Sequence, residues 1–398
     1  MASADEVRPV KRQRRRDGGA GPRVGIREVA KAAGVSMATA SRAISGTGRV
    51  SNASRQRVLR AVQDLGYRPD RVARAFARRR SGTVGVLLLD FASGFVGEVM
   101  AGLAKAAREV GRDALFASYG SQGHSGVRRE LDRLLGARVE GIVFYPSISL
   151  PIDDEALVDD LKRVPTVLVD CAVDGLDLPV VTSDGAGGVQ QAVDHLVSLG
   201  HERIAHLAGP SWTSTGVVRL RAFREAMAAR GLDIPNGRVA HYDFSYVQAL
   251  TAAQSMLQER PLPTAVIAAN DRGAAAFMAA AKHAGLRIPH DLSVIGYSDT
   301  EICQVCDPPL TTVRQPKEEL GREAMRILAA LIEGDSTTDG SGIHLLPTQL
   351  VVRGSCGPYM RREEAADAIA RSLFVDHSVA SSPSQLPQGK EGVHGENG

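Results

Sequence analysis

Ile26-Arg-Glu-Val-Ala-Lys-Ala-Ala-Gly-Val-Ser-Met-Ala-Thr-Ala-Ser-Arg42, followed by Gly48-Arg-Val-Ser51 and closed by Leu65-Gly-Tyr-Arg-Pro69, is the stretch on which the reading of this 398-residue chain turns. Ile26, Val29, Ala30 and Ala33 recur at the i, i+3, i+4, i+7 spacing of a helix with one buried face, and Gly34 stops it. Ser36 is placed to cap a second helix, Met37 to Ser45, by accepting an amide from the first turn. On that helix Ala40, Ala43 and Ile44 point inward, leaving Met37, Ala38, Ser41, Arg42 and Ser45 outside. Ser51 caps a third helix with Val58, Leu59, Val62 and Leu65 as its apolar side, and Gly66 ends it where a left-handed residue is favoured. Two short helices joined by a tight glycine turn, with a third behind them, form a helix-turn-helix whose outer face is small and polar enough for a major groove.

Charge separates this module from the rest. Residues 1–82 carry 20 lysines and arginines against 6 acids, leaving 28 against 39 downstream. No acid falls between Glu28 and Asp64, whereas Lys31, Arg42, Arg49, Arg55, Arg57 and Arg60 do. Neutralising phosphates releases condensed counterions, so such a basic module is the footprint expected of a nucleic-acid binder. A merely solvated basic face is the alternative.

The helix-turn-helix stretch closely resembles the DNA-binding domain of lactose-repressor (LacI/GalR) family regulators, in helix order, turn and Gly-Tyr-x-Pro exit. The resemblance implies base reading by Met37, Ala38 and Arg42. A guanidinium can bond O6 and N7 of guanine together, while Met37 and Ala38 offer apolar contact. Contact with phosphate is the other reading of Arg42. Thr39, Ser41 and Tyr67 match positions that hold the phosphate backbone. Residues 70–82 resemble the family's hinge helix and linker, whose DNA-binding residues would include Arg74 and Phe76. Phe76 stands where the family usually has a leucine that wedges into a base step of the minor groove. Packing against a dimer partner is the alternative role for that ring.

Beyond Thr83, short apolar runs alternate with helical segments: Val84–Leu89, Ala114–Ala117, Gly141–Phe144, Thr166–Val169, Arg203–Ala208, Thr264–Ala268 and Leu292–Ile295. Continuous Val/Ile/Leu runs suit strands buried on both faces, hence parallel sheets covered by helices, and the length suits two such lobes. The strands end at Asp90, Asp170, Asn270-Asp271 and Ser298-Asp299, where doubly wound sheets bind ligands. Asp271 and Asp184 are also expected to cap the helices that follow them.

Here the resemblance extends to the family's effector-binding domain, similar in turn to periplasmic sugar-binding proteins, over about residues 24–357. It rests on Gly200-His-Glu-Arg-Ile204, Arg219-Leu-Arg-Ala-Phe223, Ala268-Ala-Asn-Asp271, Ile288 through Tyr297 and Leu310 through Pro316. It implies effector contacts at Phe95, Asp170, Arg219, Phe244, Asn270 and Ser298. Arg219 is the strongest of these, with a lobe-to-lobe ion pair as its other reading. Two departures stand out. Ser298 follows Gly296-Tyr297 where the family usually has aspartate, and Ser93-Gly94 replaces its common Asn-Pro. The first weakens the expectation of a plain pentose or hexose and favours an anionic or differently shaped ligand.

The expected organisation is a basic arm (1–23, expected to be disordered), a small all-α helix-turn-helix domain (24–69), hinge and linker (70–82), a two-lobed α/β effector and dimerisation domain of parallel sheets (83–357, with crossings near 183, 315 and 340) and a mostly disordered tail (358–398). No run approaches the roughly 20 apolar residues of a membrane span, and residues 1–20 lack the apolar core of a secretory signal. Four cysteines are too few for a disulfide scaffold. Cys303-x-x-Cys306 lacks the partners of a zinc site, Gly185-Ala-Gly-Gly188 lacks dinucleotide spacing, and Gly296-Tyr-Ser-Asp-Thr300 lacks the second glycine of a nucleophile elbow. No cofactor, metal or catalysis is expected. The expectation is a cytoplasmic, nucleoid-associated transcription regulator, a repressor, binding a pseudopalindromic DNA operator as a homodimer under control of a small-molecule effector, a sugar or related metabolite. A sugar-binding receptor of the periplasmic type, with no regulatory role, would fit the large domain alone.

Overall fold

The structure is a computed structural model that describes residues 24–46, 48–67, 81–89, 91–146, 154–173, 175–335 and 342–359. The chain divides into two compact units, one up to Ser81 and one from Gly82.

In the first unit α1 (Ile26–Ala33), α2 (Met37–Ser45) and α3 (Asn52–Asp64) surround a core of Val29, Ala30, Ala33, Ala40, Ala43, Val58 and Ala61. Glu28 accepts the Gly25 amide at 2.8 Å, Ser36 caps α2 through the Thr39 amide at 3.1 Å, and Ser51 caps α3 through the Ser54 amide at 3.3 Å. Gly34 and Gly46 close α1 and α2 with φ of 62° and 71°, a backbone that costs a residue with a Cβ. Two expected core positions are corrected: Leu59 is 47% exposed and Leu65 is also exposed, while Ala61 is buried in their stead. Leu59 lies one residue, about 100° of helix, from Val58, which sends it to the open side. Ser36→Ala removes the acceptor for the Thr39 amide and is expected to destabilise this unit by about 1 kcal/mol. Urea unfolding followed by helical circular dichroism measures it, and an unchanged midpoint would mean that water serves Thr39 as well as Ser36 does.

The second unit holds two six-stranded sheets in two lobes. The first sheet has the order β11-β5-β4-β3-β1-β2, from β1 (Thr83–Leu88), β2 (Asp113–Ser118), β3 (Ile142–Tyr145), β4 (Thr166–Val169), β5 (Val180–Ser183) and β11 (Ile343–Leu346), all parallel. The second has the order β12-β10-β9-β8-β6-β7, from β6 (Ile204–Ala208), β7 (Val239–His241), β8 (Ala265–Ala268), β9 (Ser293–Ser298), β10 (Thr311–Arg314) and β12 (Gln349–Val351). Only β12 runs antiparallel in it. Central strands such as β3, β4, β6, β8 and β9 are buried throughout, as two covered faces require. The expected strand at residues 114–117 lies at an edge instead, with Leu115 exposed, Ala114 and Phe116 half-buried and Ala117 buried.

On the first sheet α4 (Gly94–Glu109) and α12 (Lys317–Glu333) pack together over Val86, Val143 and Val167, with α5 (Gly123–Gly136) and α6 (Glu155–Arg163) on the other face. On the second, α7 (Gly185–Ser198) and α8 (Ser214–Ala228) cover one face, and α9 (Tyr246–Met256) and α10 (Asp271–His283) cover the other. A short α11 (Ile302–Val305) follows β9. Met278 and Met325 are core. The chain passes between lobes after Ser183 and after Arg314, and a third time at residues 347–348, between β11 and β12, rather than near 340. Among the described residues no helix is long and apolar enough to cross a membrane.

Candidate nucleic-acid interface and ligand cleft

In the first unit the exposed side of α2 carries Met37, 49% exposed, with Ala38, Ser41 and Arg42. Gly48 lies so near Arg42 that a Cβ there would stand 3.1 Å from the arginine Cδ. The aliphatic stem is thus supported while the guanidinium stays in water. Thr39 is half-buried, its hydroxyl 2.9 Å from Ser36 Oγ in the cap, and Tyr67 is half-buried against the helix core. Both of these have local structural work. Lys31, Arg49 and Arg60 are exposed, whereas Arg57 turns back to donate to Ala33 O at 3.1 Å. Arg74 and Phe76 lie outside the described residues, as do the arm and the tail beyond Tyr359.

In the second unit a cavity of about 290 Å³ opens between the lobes at the carboxyl ends of both sheets. Phe95, Asp170, Arg219, Phe244, Asn270 and Ser298 all line it. The sequence motifs did not point to Tyr145, Cys171, Thr215, Arg272 and Gln315, which line it too. Tyr145 ends β3 in the way that Asp170 follows β4, so the strand-end rule would have reached it. An adjoining cavity of about 250 Å³ shares Phe95, Phe244, Arg272 and Ser298. Asp90, the remaining strand-end acid, lies outside the described residues.

Backbone geometry marks the same place. Among the described residues five non-glycines have left-handed φ; three line the cleft, Asp170 (71°), Phe244 (66°) and Ser298 (117°), and a fourth, Asp299 (57°), is next in the chain to Ser298. Such conformations persist where surrounding bonds hold them, and they concentrate at binding sites. Asn270 supplies part of that support: its Oδ1 accepts from Tyr242 Oη and from the Gly273 amide, both at 2.7 Å, and its Nδ2 donates to Phe244 O at 3.2 Å. It is therefore Asn270 that caps α10. The expected capping by Asp271 is corrected: its carboxylate accepts from the Thr300 amide and hydroxyl and from the Thr312 hydroxyl, tying β9 and β10 to the helix start. Burial pushes the Asp271 carboxyl up, and the Thr312 and Thr300 bonds oppose it. Asp184 caps α7 through the Gly187 amide at 2.8 Å.

Asp170 and Arg219 face the cavity from opposite lobes. Tyr145 Oη donates to Asp170 Oδ2 at 3.3 Å, while Oδ1 is buried without a partner. Burial raises the Asp170 carboxyl, with Arg219 and the tyrosine opposing. Arg219, 5% exposed, donates to Ala269 O at 2.7 Å within its own lobe and lies 3.8 Å above the Tyr297 ring, its Nε without a partner. Among the described residues no lobe-to-lobe ion pair holds it. A buried donor and a buried acceptor left open across a cleft suit a ligand that supplies both complements. Burial and Asp170 push the Cys171 thiol up to about 12, which keeps it a neutral wall rather than a nucleophile.

Ser298 donates to Gln315 Oε1 at 2.8 Å, and Gln315 Nε2 donates to Ser183 Oγ at 2.7 Å. Asp299 does not replace a carboxylate at 298. It is drawn off by Arg314 at 2.7 Å and Arg353 at 2.6 Å, which hold its pKa below the ordinary value despite burial. Among the described residues no group of acids, histidines and cysteines has a metal-holding arrangement.

Comparison with known proteins places these two units side by side in others. The family described as bacterial regulatory proteins, lacI family, matches residues 25–70, and the periplasmic binding protein-like domain matches residues 193–356. The chain is 33% identical over 331 residues to the HTH-type transcriptional repressor CytR of Escherichia coli (strain K12), covering 83% of this chain and 95% of that one. It is 35% identical over 338 residues to the HTH-type transcriptional regulator CelR of Thermobifida fusca, covering 82% and 96%. The lac repressor dimer bound to operator and the anti-inducer ONPF superposes with a TM-score of 0.76 at 30% identity, over 84% of this chain and 100% of the other. A complex of the regulator CelR with cellobiose gives 0.63 at 34% identity over the same shares.

Proposed function

Because the chain belongs to the lacI family of bacterial regulatory proteins, we propose that it represses transcription by holding a two-fold symmetric operator as a homodimer, and that a small hydroxylated metabolite in the cleft alters its hold. It is a transcription regulator, not an enzyme. The solved relatives bind operator as a dimer in one case and cellobiose in another. The cytoplasm is where such a protein meets DNA. The receptor reading, without regulation, leaves the basic helix-turn-helix unit with no task.

The observation that carries the proposal is the convergence on one cavity of six residues from two lobes, with Asp170 Oδ1 and Arg219 Nε open across it. A ligand bridging them favours the lobe arrangement in which both reach it, and linkage passes that preference to DNA affinity. We assign Phe76 the minor-groove wedge and Arg74 a contact with DNA. Selection of duplexes from random DNA by the purified full-length protein tests the assignment, because a homodimer enriches an inverted repeat. Failure to enrich any symmetric site removes the proposal.

Arg42→Ala is the sharper probe. Loss of a bidentate guanine contact removes about 1–3 kcal/mol, so specific affinity is expected to fall roughly 5- to 150-fold while affinity for random duplex is nearly kept. Fluorescence anisotropy on operator and random DNA reads both. An equal drop on the two would make Arg42 a phosphate contact instead.

A further inference from the structure

The two walls of the cleft differ in charge. The wall from the second lobe presents Arg219, buried with an open Nε, and Arg272, which reaches across to donate to Ala92 O at 2.8 Å. Neither has an ion pair among the described residues. Each carboxylate near this wall is already engaged or sits in water: Asp299 with Arg314 and Arg353, Asp271 with Thr300 and Thr312. Asp243 and Glu301 stand at the exposed rim, and Asp243 accepts the Ser245 amide at 2.9 Å. Among the described residues the wall from the first lobe has one buried acid, Asp170. Among the described residues the inner surface thus carries two guanidiniums, Arg219 buried and Arg272 half-buried, against one buried carboxylate, and a charge shielded from water without a counter-charge is costly.

Hydrogen-bond roles divide the same way. Arg219 and Arg272 only donate, and a guanidinium fork fits a planar carboxylate with two parallel bonds. Asp170 Oδ1 can only take a proton donor, which an alcohol supplies. Ser298 spends its hydroxyl hydrogen on Gln315 and keeps oxygen lone pairs for a second alcohol. The volume, about 290 Å³, lies at the small end of ligand sites and suits a body of monosaccharide size.

We propose that the effector is a sugar acid, its carboxylate held by Arg219 and Arg272 and its hydroxyls by Asp170 and Ser298. This rests on the regulator reading above and adds the ligand's charge. Calorimetry on the full-length protein with glucose, gluconate, glucuronate, galacturonate and glucose 6-phosphate tests it. At least one carboxylate is expected to bind ten-fold or more tightly than glucose, with affinity falling as salt is raised. Ser298→Asp places a carboxylate beside that wall and is expected to lower the acid-to-glucose affinity ratio at least ten-fold. Arg272→Gln is expected to cut acid binding as well, and serves where the aspartate variant does not fold. Glucose binding more tightly than every acid, no acid binding at all, or an acid-to-glucose ratio unmoved in the variants overturns the proposal. Binding of the phosphate ester alone also overturns the carboxylate assignment. Operator affinity measured alongside separates the two levels: an acid that binds without changing it defeats the regulatory reading, whereas glucose releasing operator defeats the charge argument.

Discussion

Gly321→Ala is expected to destabilise the two-lobed unit by about 3 kcal/mol, at the upper end of what overpacking costs. A methyl on Gly321 in α12 would coincide with the Val99 carbonyl of α4, and one on Gly102 in α4 would coincide with the Glu318 carbonyl of α12. The two helices meet backbone to backbone, so no side chain can swing aside to make room. They also form one continuous core with Val86, Val143 and Val167. At about 2–4 °C per kcal/mol for a unit of this size, the thermal midpoint should fall by roughly 6–12 °C. Gly97 offers an internal control on α4, being exposed with nothing within 4 Å of a Cβ. Gly97→Ala should raise stability by up to about 1 kcal/mol through helix propensity alone. Differential scanning calorimetry on the pair decides: similar midpoints would mean that the helices separate freely and that their contact holds little.

Acid sensitivity is the second large effect. His206, on β6, is fully buried, stacked on Phe223 with ring centroids 5.0 Å apart, and its Nδ1 donates to Ile267 O at 2.8 Å. Its Nε2 has no partner. Burial pushes the imidazole down to about 4, with the Ile267 bond opposing and Arg219, His241 and Arg224 adding to the fall. The unfolded chain takes up this proton near 6.5, so between about 6.5 and 4 only the unfolded state holds it. Stability therefore drops as pH falls through that window and stops dropping on this account below it. At 1.36 kcal/mol per unit the loss amounts to roughly 3 kcal/mol. His206→Asn keeps a donor towards Ile267 and removes the titration, at a constant cost in packing. Urea unfolding at pH 7, 6, 5 and 4 should show a flatter decline in the variant. Parallel declines would place the acid sensitivity elsewhere, with His201, whose imidazole is also held down by burial, next in line.

Much of the helical unit was legible because its signals are local. Ser36, Ser51 and the glycines at 34 and 66 act within four residues of themselves, and the structure uses each as a cap or a left-handed stop. The central strands β1, β3, β4, β6, β8 and β9 were legible for a different reason: burial on two faces forces an unbroken apolar run, whereas β5 and β10, also interior, are broken by threonine and serine or arginine and were missed. Edge strands escape that rule. β7, β11 and β12 are three or four residues long and partly exposed, so their composition resembles that of a loop. At the cleft, strand ends announced Asp170, Asn270 and Ser298. Arg272 could not be found that way, since the first turn of α10 brings it in, and Gln315, although it directly follows β10, was missed because that strand was not read from the sequence. The misplaced cap has the same origin. Asn270 and Asp271 are both good acceptors, and only the fold shows that Asn270 has the extended backbone of a cap while Asp271 already lies inside the helix.

The three crossings between lobes carry a mechanical meaning. Two of them are stitched together by Ser183, Gln315 and Ser298, and Lys317 at the start of α12 donates to Ser298 O and Asp299 O while pairing with Glu98 at 3.1 Å. Sliding one lobe along the other would shear every one of these bonds, whereas rocking about the crossings bends only a few backbone torsions. The pair of lobes therefore behaves as a door on a pinned hinge, with one soft degree of freedom. Because Ser298 is both a pin of that hinge and part of the lining of the cleft, whatever settles in the cleft leans directly on the hinge.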